Sequence, residues 1–215
     1  MSKGVTTILF DLDGTLIDSN ELIIQSFLHT FKKYAPNQFT REDCIPLIGP
    51  SLYETFSSVD KEKAEEMVEY YRDFNKKYHD ELLEQYDGVY ETVELLVNRG
   101  FKIAVVTTKL KDVVMKGLEA SKLTRFFEHI VALDDVANPK PDPEPIFKAL
   151  NLLDSSPEEA IMVGDSYHDI LAAKNAGTKS AAVAWSLKGR DHLMQFKPDY
   201  MLEHMSDLLP IVGVE

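Results

Sequence analysis

The stretch Phe10-Asp11-Leu12-Asp13-Gly14-Thr15 decides the fold of this chain. It follows a β-branched and apolar run, and residues 5–10 together predict a buried strand. Two carboxylates one residue apart cannot both follow a regular strand face, and Gly14 permits a tight turn, so we expect both aspartates on the turn that leaves the strand. In an open parallel sheet, ligands bind at the edge formed by the carboxyl ends of the strands, which is where this turn lies.

Four further apolar runs predict strands, and helical patterns separate them. They cover residues 102–107, 129–133, 160–164 and 180–184. Near-continuous apolar runs are typical of strands that are buried on both faces, as in parallel sheets. Strands that alternate with helices predict an α/β fold with a doubly wound, Rossmann-like parallel sheet.

About ninety residues separate the first two predicted strands, far more than one crossover needs. Residues 18–34 and 60–85 within this interval have helical patterns. We therefore predict a core of residues 1–15 and 86–215, with an all-helical cap domain inserted at residues 16–85.

Two capping-box patterns predict where cap helices begin. Asp18 is followed three residues later by Glu21, and Ser51 by Glu54. In such a box the first side chain accepts a hydrogen bond from the backbone of the fourth residue, and the fourth side chain reaches back. We therefore expect one helix to begin at residue 18 and another just after residue 51.

Further acids reach the same edge of the predicted sheet. The fourth strand ends in Gly164-Asp165, and Asp169 follows four residues later. Neighbouring carboxylates repel each other unless a cation offsets the repulsion, and Mg²⁺ prefers carboxylates, water and phosphate oxygens. The sequence thus predicts a Mg²⁺ site at this edge, and a bound cation would let a phosphate approach the acids.

Hydroxyl and ammonium groups suited to phosphate accompany these acids. Thr107 and Thr108 come at the end of the second predicted strand, and Lys140 lies in a proline-rich loop before a helix. A compact ammonium is a good partner for a phosphoryl oxygen. We therefore expect a small phosphate-containing substrate.

Each of these signals alone has an ordinary structural explanation. The first motif could be a solvated turn, the acids of the fourth strand could start a helix, the threonines could favour a strand, and Lys140 could be a surface lysine. Together they follow three strands and one loop in a fixed order, and this combination favours a phosphate site.

These motifs resemble those of the haloacid dehalogenase (HAD) phosphatase superfamily over essentially the whole chain. The resemblance implies that Asp11 is the nucleophile and Asp13 the general acid and base. It implies that Thr107 and Lys140 hold the phosphoryl group, with Thr108 beside them. Further implied roles are Mg²⁺ binding by Asp11, the Asp13 carbonyl and Asp165, and support of the site by Gly14, Thr15, Gly164 and Asp169.

Several other stretches resemble the PpaX-type inorganic pyrophosphatases of Gram-positive bacteria. The stretches that carry this resemblance are residues 5–10, 49–51, 106–110, 139–145, 163–169 and 205–209. The resemblance implies cleavage of inorganic pyrophosphate through an aspartyl-phosphate, and a functional link to the HPr kinase/phosphorylase. Neither implication comes from spacing or charge.

A pyrophosphatase must also hold the phosphate that leaves. Lys109 and Lys111 beyond the second strand are candidates, as are Arg72, Lys76 and Lys77 in the cap. For each of these residues a solvated surface charge is the more common explanation.

Composition limits the partners of the protein. The chain has 215 residues and a formal net charge of −13, which disfavours nucleic acid and anionic lipid. Its single cysteine, Cys44, excludes an intramolecular disulfide. No apolar run reaches the ~20 residues of a membrane helix, and no signal-peptide pattern is present, so we expect a soluble cytoplasmic protein.

Other activities stay open at this point. The same core could serve a phosphatase for a small phosphomonoester such as phosphoglycolate, a nucleotide or a sugar phosphate. A phosphomutase or an inactive sensor of phospho-ligands would fit less well. A dehalogenase is disfavoured because Asp13 is present, and carbon–halogen cleavage delivers no proton to a phosphate leaving oxygen.

Overall fold

The computed structural model describes residues 4–214, and residues 1–3 and 215 at the ends of the predicted core lie outside the described part. The chain forms two compact units. The sheet unit comprises the residues up to Asp18 and from Gln85 onward, and the helical unit is Ser19–Glu84.

Six parallel strands form the sheet of the sheet unit, and two short strands form a second sheet. The strands in chain order are β1 (Thr7–Phe10), β2 (Ile17–Asp18), β3 (Glu84–Gln85), β4 (Lys102–Val106), β5 (His129–Val131), β6 (Ala160–Gly164), β7 (Lys179–Val183) and β8 (Tyr200–Leu202). The large sheet has the order β5-β4-β1-β6-β7-β8, and β2 pairs with β3. The predicted α/β fold with a parallel sheet is confirmed.

Ten α-helices accompany the strands in the described residues. They are α1 (Asn20–Tyr34), α2 (Arg41–Cys44), α3 (Leu52–Val59), α4 (Ala64–Leu82), α5 (Val89–Asn98), α6 (Lys111–Ala120), α7 (Glu144–Leu152), α8 (Tyr167–Ala176), α9 (Arg190–Met194) and α10 (Leu208–Ile211). Between residues 4 and 214, no helix is both long and apolar enough to cross a membrane.

The central strand β1 is buried along its whole length, and its register places the site. Leu9 pairs with Ala104 of β4 on one side and with Met162 of β6 on the other. These three side chains pack in one core with Ile146 of α7 and Ala173 of α8. Removing this apolar surface from water stabilises the sheet, so the carboxyl ends of β1, β4 and β6 are held at one edge.

Aromatic rings form the core of the helical unit. Phe27 of α1 contacts Phe31, Phe56 and Tyr71, with ring centroids 4.9–5.9 Å apart. All four rings are buried, and Cys44 lies in the same core. Burial of such large apolar surfaces is what stabilises the unit, since aromatic residues contribute most per side chain.

The observed helix starts differ in part from the capping-box predictions. The prediction for Asp18 is wrong, because α1 begins at Asn20 and its cap residue Ser19 makes no side-chain capping bond. Ser51 does cap α3, where its hydroxyl accepts a hydrogen bond from the backbone of Glu54 at 3.2 Å. Strands β2, β3 and β8 were not predicted, and the short strands β2 and β3 lie at the two ends of the segment 16–85 that was predicted to be all-helical.

Candidate active site

The carboxyl edge of the sheet brings the predicted motifs together because each extends its strand by one residue. The Asp11 backbone N–H donates to the carbonyl of Val163 in β6 at 2.9 Å. The Thr107 N–H donates to the carbonyl of Val131 in β5 at 3.0 Å. Asp11, Thr107 and the residue after β6, Asp165, are all buried at this edge.

The turn after β1 depends on a glycine. Leu12 accepts a backbone hydrogen bond from Leu16, and Gly14 donates to the carbonyl of Ile17, both at 2.9 Å. Gly14 has a φ of +72°, which disfavours residues with a side chain. A Cβ atom here would also lie 2.6 Å from Oδ2 of Asp165, so only glycine lets the turn approach that carboxylate.

A second glycine makes room for Asp169. A Cβ atom on Gly164 would lie 2.3 Å from the Asp169 carboxyl carbon. Asp169 Oδ2 accepts hydrogen bonds from the Ser166 hydroxyl at 2.7 Å and from the Ser166 backbone at 3.0 Å. This capping box at the start of α8 fixes the carboxylate against the end of β6.

Lys140 lies between Asp11, which follows β1, and Asp169, which follows β6. Its Nζ atom is 3.0 Å from Oδ1 of Asp11 and 2.6 Å from Oδ1 of Asp169, and it donates to the Val106 carbonyl at 2.8 Å. Its three donors thus all have acceptors, and the side chain is buried. We call Asp11, Lys140, Asp165 and Asp169 the acidic edge.

Burial and charge set the protonation of these groups. Burial raises the pKa of Asp11, against the opposing charge of Lys140. Burial also raises the pKa of Asp165 to about 6, and the Lys188 ammonium is the strongest influence against that rise. For Asp169, burial is outweighed by the Lys140 charge, which holds its pKa below the ordinary range. The carboxylates of Asp11 and Asp169 hold the pKa of Lys140 above its ordinary range in spite of burial.

The acidic edge has the donor chemistry of a site for a hard divalent cation. One carboxylate oxygen from each of Asp11, Asp165 and Asp169 lies within 4.8 Å of the other two. Asp169 already binds Lys140 and Ser166, whereas Asp165 is buried at the same edge, and burial raises its pKa to about 6. Buried oxygen donors of this kind suit a divalent metal ion.

Two of the lysines considered for the leaving phosphate have acidic partners. Lys109 Nζ donates to Oδ1 of Asp13 at 2.5 Å, and Lys109 also donates its backbone N–H to the Thr107 hydroxyl at 3.2 Å. Lys111 Nζ lies 3.8 Å from Oδ2 of Asp135. Lys109 therefore positions Asp13, a contact that sequence spacing could not show.

The remaining predicted site residues lie on the same loops. Thr15 is buried, and its hydroxyl has no hydrogen-bond partner within residues 4–214. Thr108 is half-buried beside Thr107.

His168 is buried next to Asp169, and burial lowers its pKa to about 4, so the ring is neutral at physiological pH. Lys188, near Asp165, was missed because nothing in its local sequence marks it.

The comparisons with known proteins agree with this geometry. Residues 8–183 match the model of the haloacid dehalogenase-like hydrolases. The chain belongs to the haloacid dehalogenase-like hydrolase family. It is 60% identical over 209 residues to the pyrophosphatase PpaX of Bacillus cereus strain B4264, covering 97% of each chain. The resemblance to this family is therefore confirmed, and the protein is a hydrolase.

Solved structures of the family have the same fold. A haloacid dehalogenase-like hydrolase from Streptococcus pneumoniae superposes with a TM-score of 0.84 at 26% identity, over 96% of this chain and 97% of that chain. A predicted phosphoglycolate phosphatase from Haemophilus somnus superposes with a TM-score of 0.85 at 26% identity, over 99% and 100%. Both cover the sheet and helical units alike.

Proposed function

We propose that this hydrolase cleaves inorganic pyrophosphate to phosphate, with Mg²⁺ and through an aspartyl-phosphate on Asp11. The observation that carries the proposal is the acidic edge, where Lys140 touches the Asp11 carboxylate and Asp165 lies close by. The substrate rests on the 60% identity with a protein named pyrophosphatase PpaX.

Asp11 is the proposed nucleophile. Its carboxylate oxygen would attack a phosphorus atom in line, and the bond from that phosphorus to the bridging oxygen would break. Lys140 is 3.0 Å from Asp11, so its positive charge lies beside the attacking carboxylate and would stabilise the negative charge of the transferring group. The Thr107 hydroxyl lies at the same edge and would contact another such oxygen.

Asp13 is the proposed general acid and base. It would give a proton to the leaving phosphate oxygen and later take one from the water that hydrolyses the aspartyl-phosphate. Lys109 contacts Asp13 at 2.5 Å and thereby fixes the direction of its carboxyl group.

Asp11, the Asp13 carbonyl and Asp165 are the proposed metal ligands. When bound, Mg²⁺ would neutralise the phosphate charge so that it can approach an anionic nucleophile. Asp169 is a positioning residue in this proposal, since it holds Lys140 at 2.6 Å. Gly14 and Gly164 keep open the space that the carboxylates need.

Phosphate release from Mg-pyrophosphate tests the proposal. The wild-type protein should release phosphate, and Asp11→Asn should lower the rate by several orders of magnitude because the covalent route is lost. A panel of phosphomonoesters that includes phosphoglycolate belongs in the same assay, because one structural neighbour is described as a phosphoglycolate phosphatase.

The panel decides between the substrates. Turnover of a monoester far above that of pyrophosphate would overturn the proposed substrate and favour the phosphomonoesterase. Full activity of Asp11→Asn would overturn the mechanism. The link to the HPr kinase/phosphorylase stays a prediction from the resemblance.

A further inference from the structure

A second lysine ammonium is buried in the sheet unit, and no step above uses it. The Nζ atom of Lys188 is shielded from solvent, and among residues 4–214 it has no hydrogen-bond partner. Lys140, in contrast, has three acceptors within 3.0 Å. An ammonium with three unused donors is unfavourable in a buried position, so an anion that reached Lys188 would be stabilised.

The loop that carries Lys188 leaves the sheet beside the acidic edge. Strand β7 runs parallel to β6, with Ala182 paired to Gly164, so both strands end on the same side. The Ser186 hydroxyl donates to the Asp165 carbonyl at 2.7 Å and accepts from the Lys188 backbone N–H at 3.2 Å. Two hydrogen bonds therefore connect the Lys188 backbone to the Asp165 backbone.

The charge of Lys188 also reaches the acids. It lowers the pKa of Asp165 against the effect of burial, and it acts in the same direction on Asp169. Lys109 and Lys111 lie near Asp13 and Asp135, respectively. Each of these two lysines therefore has a carboxylate partner, whereas Lys188 Nζ has no hydrogen-bond partner among residues 4–214.

We propose that Lys188 is a substrate-binding residue whose ammonium holds the leaving phosphate of a diphosphate substrate. This proposal rests on the proposed function. The Lys140 ammonium touches the attacking carboxylate. The Lys188 backbone is instead linked to the Asp165 backbone through the Ser186 hydroxyl, and the proposal assigns the Lys188 ammonium to the other phosphoryl group. A substrate with one phosphoryl group supplies no leaving phosphate for Lys188 to hold, and the residue thus favours diphosphates over monoesters.

The test compares two substrates in two variants. Lys188→Met removes the charge and keeps the length of the chain, and Lys188→Arg keeps the charge. With saturating Mg²⁺, Lys188→Met should lower kcat/KM for pyrophosphate about 10- to 100-fold, the range for a hydrogen bond to a charged group. Hydrolysis of p-nitrophenyl phosphate, which has one phosphoryl group, should change less than about threefold. Lys188→Arg should recover a large part of the pyrophosphate activity.

A matched control and a metal titration exclude indirect effects. Lys116 is an exposed lysine of α6, and Lys116→Met should leave kcat/KM for both substrates unchanged. An equal loss for both substrates, together with a changed Mg²⁺ requirement, would show that Lys188 acts through Asp165 and would overturn the proposal.

The failure of this proposal is distinct from failure of the proposed function. A wild-type protein without pyrophosphatase activity contradicts the proposed function itself. An active wild type with unchanged pyrophosphate turnover in Lys188→Met contradicts only the role of Lys188. Circular dichroism verifies folding, and Lys188→Gln gives the same substrate ratio if the methionine variant does not fold.

Discussion

The acidic edge buries ions, whereas the core of the helical unit buries rings. At the edge, Asp11, Lys140, Asp165 and Asp169 are each at most 8% exposed. Among the described residues 19–84, no aspartate, glutamate, lysine or arginine is buried, and Phe27 and its neighbours fill the centre.

This difference separates binding from stability. Removing a carboxylate from water is unfavourable unless a cation compensates it, so the acidic edge is suited to binding a cation and an anion rather than to holding the fold. Aromatic burial is favourable without any ligand. Substitutions in the two regions should therefore differ in whether they change activity, stability or both.

Lys140→Met should have the largest effect, because it affects both properties. It leaves Asp11 and Asp169 buried without their common cation, and the loss of one partner of a buried pair costs about 3–5 kcal/mol. Turnover should fall by at least about 100-fold, as for loss of a charge-stabilising donor. Urea unfolding at pH 8 and phosphate release measure the two effects.

A surface ion pair of the helical unit is the control for Lys140. Arg41 and Glu21 are 2.6 Å apart, with 46% and 43% of their side chains exposed. Arg41→Met should cost about 1 kcal/mol or less, because exposed pairs contribute little. An equal loss of stability in both variants would contradict the distinction between the two regions.

Phe27→Ala should destabilise the helical unit. Phe27 is 1% exposed and contacts three other rings, and loss of such a side chain costs about 3–5 kcal/mol. Denaturant unfolding followed by circular dichroism measures the change. Binding of Mg²⁺ by the protein that stays folded should be unaltered, and a weakened Mg²⁺ affinity would contradict the division of roles.

Mg²⁺ should stabilise the protein more at pH 8 than at pH 5.5. Burial raises the pKa of Asp165 to about 6, above its value in the unfolded chain, so this group lowers stability as the pH rises through that value. Bound Mg²⁺ offsets the buried charge, and at 100 times its Kd it contributes about 3 kcal/mol. At low pH, protons compete for the same oxygens.

Thermal unfolding with and without Mg²⁺ measures this difference. In Asp165→Asn, the increase in Tm on adding Mg²⁺ should be smaller and should depend less on pH. An increase in Tm that is the same at both pH values in the wild type would argue against Asp165 as a metal ligand.

Cys44 should react only slowly with thiol reagents in the native protein. Burial, with a smaller contribution from Asp43, raises the pKa of its thiol to about 11, and the side chain is fully buried in the ring core. At pH 8 a thiol reagent should modify the native protein at least about 100-fold more slowly than the protein in denaturant. Equal rates would indicate that the ring core opens readily.

The sequence predicted the strands that matter for the site. Strand β6 has the predicted bounds, and β1, β4, β5 and β7 each overlap the predicted range with shifts of one or two residues. Buried parallel strands are apolar on both faces, which gives a strong signal. Strand β8, with three residues of which two are half-buried, gave no such signal.

Helix starts were harder to predict than strands. Asp18 and Glu21 have the spacing of a capping box, yet Asp18 ends strand β2 and α1 begins two residues later. A short side chain near a helix start has several possible partners, and the tertiary structure determines which one it has. At Ser51 no competing strand is present, and the predicted serine cap forms.

The sequence by itself determined the residue types at the sheet edge, because acids and glycines next to buried strands are visible in the order of residues. Only the tertiary structure decided which charged side chains pair: Lys140 with Asp11 and Asp169, and Lys109 with Asp13. It also decided that Ser186 connects the backbones of Lys188 and Asp165. The partners in these contacts are between 21 and 129 positions apart in the sequence. The exception is the hydrogen bond between Ser186 and Lys188, which are neighbours on one loop. The contacts between distant partners arise from the packing of parallel strands side by side, and local sequence carries no record of that packing.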